Sequence, residues 1–142
     1  MNVEDPENAV RRTLSEYCAL VDAGAFDPWS QLFTSTAVLK GNGDVIAIGR
    51  DAILRWVAEA VPSRAGGKHV TVNSIIQVSG GVAAVSSDFI FLKPSVEGPV
   101  FAAAGKYADK LVPDHGRWRF AEREILMPQD WIRVSAFTAS ST

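Results

Sequence analysis

The sequence predicts an α+β fold in which three N-terminal helices pack on one face of a curved antiparallel sheet. Three observations carry this. Up to about residue 60 apolar residues recur at spacings of three and four; after residue 68 long β-rich stretches take over; and glycine, proline or serine clusters separate those stretches at hairpin intervals.

The first helix is expected from Asn8 to Ala23, with Val10, Leu14, Tyr17, Cys18 and Val21 on its buried face. Asp5-Pro6-Glu7 supplies a cap, a proline for the first turn and an acid near the positive end of the helix dipole, and Gly24 stops the helix. A short second helix is expected to start at Asp27-Pro28, with Trp29, Leu32 and Phe33 at helical spacing. Ala37–Lys40 and Val45–Ile48 flank Gly41-Asn42-Gly43-Asp44, whose Asn-Gly pair signals a hairpin. Arg50 to Ala60 reads as the third helix, with Ile53, Trp56, Val57 and Ala60 on one side and Pro62 closing it. The sheet then follows as a meander of His69–Val78, Val82–Leu92, Val100–Val112 and Arg117–Leu126. Folding such a sheet against helices leaves a conical cavity.

The chain of 142 residues has the length of one domain, with its core at about 8–127 and a tail at 128–142; the last few residues of Ser135–Thr142 are expected to fray, and Met127-Pro-Gln-Asp-Trp131-Ile to cover the pocket mouth or extend a dimer contact. A single cysteine, Cys18, rules out an intramolecular disulfide, and two histidines leave little material for a metal site, so no metal is expected. Fourteen basic against sixteen acidic residues give no positive field for nucleic acid. The acidic start, Met1-Asn-Val-Glu-Asp-Pro-Glu, lacks the pattern of a secretory signal and no apolar run reaches membrane-spanning length, so a cytoplasmic protein without membrane association is expected. Dinucleotide, phosphate-loop, serine-hydrolase and zinc-protease signatures do not occur.

Chemistry concentrates on Asp22 and His69. Asp22 ends the first helix, where the negative end of the dipole disfavours another negative charge, so either it caps a turn or it accepts a hydrogen bond from an imidazole. His69 opens a strand in which His69, Thr71 and Asn73 share one face, which makes that face either solvated or the polar lining of a pocket. Tyr17, five residues before Asp22, is a candidate hydrogen-bond donor, and Asn73 a candidate for orienting substrate. Arg123 is expected to hold an anionic group or to pair with Asp109 or Glu122. Trp29, Phe33, Trp56, Phe89, Phe101 and Trp118 are expected in the core and pocket wall, Trp29 and Trp56 being the candidates for substrate contact.

The run Tyr17-Cys-Ala-Leu-Val-Asp22-Ala-Gly-Ala-Phe26-Asp27-Pro-Trp29-Ser-Gln-Leu32-Phe33-Thr resembles the first-helix signature of the SnoaL-like branch of the nuclear transport factor 2 superfamily. Ile48-Gly49-Arg50-Asp-Ala-Ile53, Lys68-His69-Val-Thr-Val-Asn73, Gly105-Lys-Tyr107-Ala-Asp109 and Gly116-Arg-Trp118-Arg-Phe-Ala-Glu-Arg123 follow in the same order. The resemblance implies a cone-shaped fold with a deep pocket, a homodimer or other homo-oligomer, and relatives that include scytalone dehydratase, a dehydrochlorinase, isomerases and polyketide cyclases. Asp22 and His69 match the aspartate and histidine that form the catalytic dyad in the dehydratase and dehydrochlorinase. Tyr17 departs from the lysine that the dehydrochlorinase carries there, so substrate identity does not transfer. The implied function is a cofactor-independent lyase or isomerase acting on a small hydrophobic or aromatic molecule. The alternative is a non-catalytic binding or association module of the same fold.

Overall fold

A computed structural model of the chain describes residues 4–61 and 67–128. The expectations for Pro62 as a helix stop and for the tail beyond 128 fall outside these residues.

Helix α1 (Pro6–Asp22) is capped by the Asp5 carboxylate, which accepts the Asn8 amide, and it buries Val10, Leu14, Tyr17 and Val21 as the spacing requires. Helix α2 (Phe26–Ser30) begins earlier than expected: Ala25 is its N-cap, and Asp27 lies within the first turn. Phe33 does not continue the helix but opens strand β1 (Phe33–Gly41), which turns at Asn42-Gly43 into β2 (Asp44–Ile48). Helix α3 (Arg50–Ala60) follows, and the Arg50 guanidinium ties its start to the Phe33 carbonyl through two hydrogen bonds. Strands β3 (Lys68–Ser79), β4 (Val82–Lys93), β5 (Val100–Asp114) and β6 (Arg117–Leu126) form the meander.

The six strands make one curved sheet in the order β2-β1-β6-β5-β4-β3. One pairing corrects the all-antiparallel expectation: β1 and β6 run parallel. A hairpin fixes antiparallel direction, but β1 reaches β6 through the whole intervening chain, so no turn dictates how they pair. Alternation buries Ala83, Val85, Ser87 and Phe89 of β4 and Tyr107, Asp109 and Leu111 of β5 on the inner face. These meet α1, Trp29, Ile53 and Val57 in a single core. Phe101, expected within it, is 55% exposed near the start of β5.

The last turn of α1 lies against the first residues of β3, and α3 closes over the inner face of the sheet. This arrangement sets the site.

Candidate active site

Asp22 is the last residue of α1, and nothing basic in that last turn offsets its charge. Its partner comes from the sheet. Asp22 Oδ1 lies 2.6 Å from His69 Nδ1, and the His69 backbone N–H donates to the same carboxylate, at 3.1 Å from Oδ1 and 2.9 Å from Oδ2. One carboxylate thus anchors both the start of β3 and the ring that it carries. An ionised carboxylate only accepts, so the Nδ1 hydrogen is assigned to this bond and Nε2 becomes the basic nitrogen. The pair is largely shielded, with side-chain exposures of 9% for His69 and 18% for Asp22. On β4 the cross-strand neighbour Phe91 holds the imidazole at a ring-centroid distance of 4.6 Å.

His69 lines a cavity of about 220 Å³ between the helices and the inner face of the sheet. Tyr17, Val21, Trp56 and Val57 supply its helical wall, and Phe89, Phe91 and Tyr107 much of the sheet wall. Phe89 stacks on Tyr107 at 4.5 Å with 19° between the planes. Gly105 permits this: it sits opposite Phe89, and a Cβ there would come within 2.8 Å of the Phe89 ring while meeting the Leu126 carbonyl oxygen. Burial pushes both phenols above their ordinary range, Tyr107 strongly so, and they stay protonated donors near neutral pH.

Beneath the two tyrosines lies Arg123, fully buried and paired across the strands with Asp109 by bonds of 2.8 and 3.2 Å. Its guanidinium carbon is 3.6 Å from the Tyr107 ring centroid and 4.1 Å from that of Tyr17. Burial works against the charge, but the Asp109 carboxylate holds Arg123 firmly protonated. Arg123 Nη1 has no hydrogen-bond partner among the described residues, and the Tyr17, Tyr107 and Phe120 rings pack against the guanidinium beside the Asp109 pair.

The structure therefore brings together Asp22, His69, Tyr17 and Trp56 and separates the other candidates. Trp29 is wholly buried in the core, 5.3 Å from the Tyr17 ring, on no wall of this cavity. Asn73 does not share the His69 face. The β3–β4 register shifts between Val72 and Ile75, Asn73 takes a left-handed conformation at φ 54°, and its amide donates to Asp88. Ser74 occupies the inner position instead, bonded to Ser87. Arg123 is held by Asp109 below the cavity and does not line it. Cys18 borders a separate polar groove beside Thr71; burial raises its thiol and Thr71 bonds it, so it is not poised as a nucleophile.

Tyr107 is the site residue that sequence reasoning did not single out. Its signal was its place two residues from Gly105 and Asp109 on an alternating strand, which becomes informative only once β4 is set beside β5. No group of three potential metal ligands occurs among the described residues, nor a helix long and apolar enough to cross a membrane.

Comparison with known proteins agrees with this architecture. No curated protein matches the chain. A substituted form of Rv3472, a protein of unknown function from Mycobacterium tuberculosis, superposes with a TM-score of 0.76 at 26% identity over 84% of this chain and 70% of its own. A protein of unknown function from Nostoc punctiforme, described as having a cystatin-like fold, gives 0.78 at 18% identity over 91% and 96%. A protein from Novosphingobium aromaticivorans, described as a candidate scytalone dehydratase, gives 0.76 at 23% identity over 87% and 84%. At such identities the last two establish the fold alone. The SnoaL-like domain profile matches residues 4–124, nearly all of α1 through β6, so the chain belongs to the SnoaL-like domain family.

Proposed function

We propose that the protein is a cofactor-independent lyase or isomerase in which His69 removes a proton from carbon. The observation that carries this is the 2.6 Å contact of His69 Nδ1 with Asp22 at the wall of an apolar cavity. In the proposed reaction Nε2 takes a proton from the carbon next to a carbonyl, and the C–H electron pair forms a carbon–carbon double bond as the carbonyl π pair moves onto oxygen, giving an enolate, or as a leaving group on the next carbon departs with its bonding pair. Asp22 stabilises the imidazolium. In an elimination the electron pair of the neighbouring C–O or C–halogen bond leaves with its group, and the His69 proton passes to the departing hydroxide to give water, or to solvent when a halide leaves as the anion; in an isomerisation the proton returns to another carbon of the enolate, whose oxygen pair re-forms the carbonyl. A positioned base of this kind contributes about 10²–10⁴-fold.

The test is solvent-deuterium incorporation into 2-tetralone, whose α-carbon is acidic, followed by NMR. The expected result is exchange above the buffer rate that falls about 10²–10⁴-fold in His69→Ala and substantially in Asp22→Asn. Tight binding without any exchange would favour the non-catalytic binding module instead.

The same reading includes a cytoplasmic homodimer. Val72, Ile75 and Ile90, on the outer side of β3 and β4, are 38%, 65% and 37% exposed, an apolar strip that a second copy would cover.

A further inference from the structure

A groove of about 400 Å³ runs between α1 and the start of β3, and among the described residues it shares only His69 with the cavity. One wall is a single stripe of α1, because Arg11, Ser15 and Cys18 recur at spacings of four and three. The other is the outermost strand of the sheet, which contributes Lys68 and Thr71. In a chain of net charge -2 this lining holds two cations and, among the described residues, no carboxylate. Neither cation is fully committed. Arg11 gives Nη2 to Glu7 at 2.9 Å and has no other partner among the described residues, and Lys68, exposed at the start of β3, forms no ion pair among them. The Thr71 hydroxyl stands 3.2 Å from Cys18 Sγ, and the strand adds a backbone donor beside it. In an antiparallel pair alternate residues turn their N–H away from the partner strand. The His69 N–H goes to Asp22 rather than to β4, so that of Thr71, two residues on, turns to the same free edge.

We infer that this groove is a second binding site, separate from the cavity, for the phosphate group of a small phosphomonoester. It stands independently of the reaction proposed at His69. Charge and donor count set the ligand class. A phosphomonoester carries about -1.5 to -2 at neutral pH and offers three strong acceptor oxygens. Arg11, Lys68, the Ser15 and Thr71 hydroxyls and the Thr71 N–H match both numbers, whereas a carboxylate brings one charge and two oxygens. The two cations also approach from opposite ends. Arg11 lies seven residues before Cys18, about 10 Å along the helix, while Lys68 stands near enough to Cys18 for its charge to act on the thiol. Two long side chains reaching inward therefore close over an anion seated between Ser15 and Thr71. Asp22 does not compete, since both its oxygens are turned to His69. Leu14 and Val70 add apolar surface for the body of the ester.

The test titrates inorganic phosphate into the full chain at fixed ionic strength, chloride making up the salt, and follows the phosphorus NMR line. Saturable one-to-one binding with a Kd of about 1 mM or tighter is expected. Arg11→Gln and Lys68→Gln should each weaken it by about tenfold, the loss of one charge-assisted hydrogen bond. Lys110→Gln, which removes an exposed cation from the outer face of the sheet, should leave it within about twofold. Acetate should bind about tenfold more weakly than phosphate, having fewer oxygens for the same donors. Ser15→Asp, at an exposed helical position, keeps the circular dichroism of the native fold and should abolish phosphate binding by placing a negative charge in the groove. Absence of saturable binding, retention of phosphate in the Arg11→Gln/Lys68→Gln double variant, an equal loss in Lys110→Gln, unchanged affinity in Ser15→Asp, or acetate binding as tightly as phosphate would each overturn the proposal.

Discussion

At the residue scale, the site is built from groups that would each be unfavourable alone. Asp22 sits at the wrong end of a helix for a carboxylate, and three contacts from His69 offset that. This misfit was legible in the sequence, because helix position and charge suffice to see it. Arg123 was legible as a charge but not in its role: only the strand pairing sets it against Asp109 and under two tyrosines. Removing one partner strands the other in the core, so Asp109→Ala should lower stability by about 3–5 kcal/mol in urea denaturation. The two tyrosines of the chain, both with phenols raised by burial, give a pH prediction. Unfolded phenols ionise near 10 whereas the folded ones stay protonated beyond it, so stability present below pH 10 is lost as pH rises through the folded values. Ultraviolet titration should show tyrosinate appearing only above pH 10 in the native protein, and a guanidinium-unfolded sample should ionise first.

At the element scale, helix and strand periods placed most of the secondary structure; α3 spans Arg50–Ala60, as its apolar spacing predicts. The errors fall where local pattern and backbone geometry part. In β3 strict alternation predicts Asn73 beside His69, but the bulge adds a residue and hands the inner face to Ser74. Asn tolerates the left-handed backbone at Asn73 far better than a β-branched residue, so Asn73→Val should cost about 1–2 kcal/mol, read as a fall in melting temperature. Gly105 marks the opposite case, a residue whose importance lies in what it lacks. Gly105→Ala should force Phe89 away from Tyr107 and the backbone away from Leu126, at a cost of about 1–3 kcal/mol in chemical denaturation.

At the scale of the whole molecule, the sheet order and the parallel β1–β6 pair decide which residues meet. If the exposed strip on β3 and β4 is an interface between copies, Ile75→Lys should convert a dimer to a monomer in light scattering at micromolar concentration, with the fold intact by circular dichroism. By itself the sequence determined the α+β class and most element positions, which follow from periodicity and capping acting over a few residues along the chain. It left Asp22 and His69 with more than one reading each, and their pairing as a dyad came from the family resemblance. Only the tertiary structure decided that Trp29 belongs to the core, that Asn73 turns away, that Arg123 lies below the cavity and that Tyr107 joins Tyr17 on its wall. Each of these depends on which strands become neighbours and in what register, and that is fixed by burial of the whole inner face rather than by any stretch of sequence read alone.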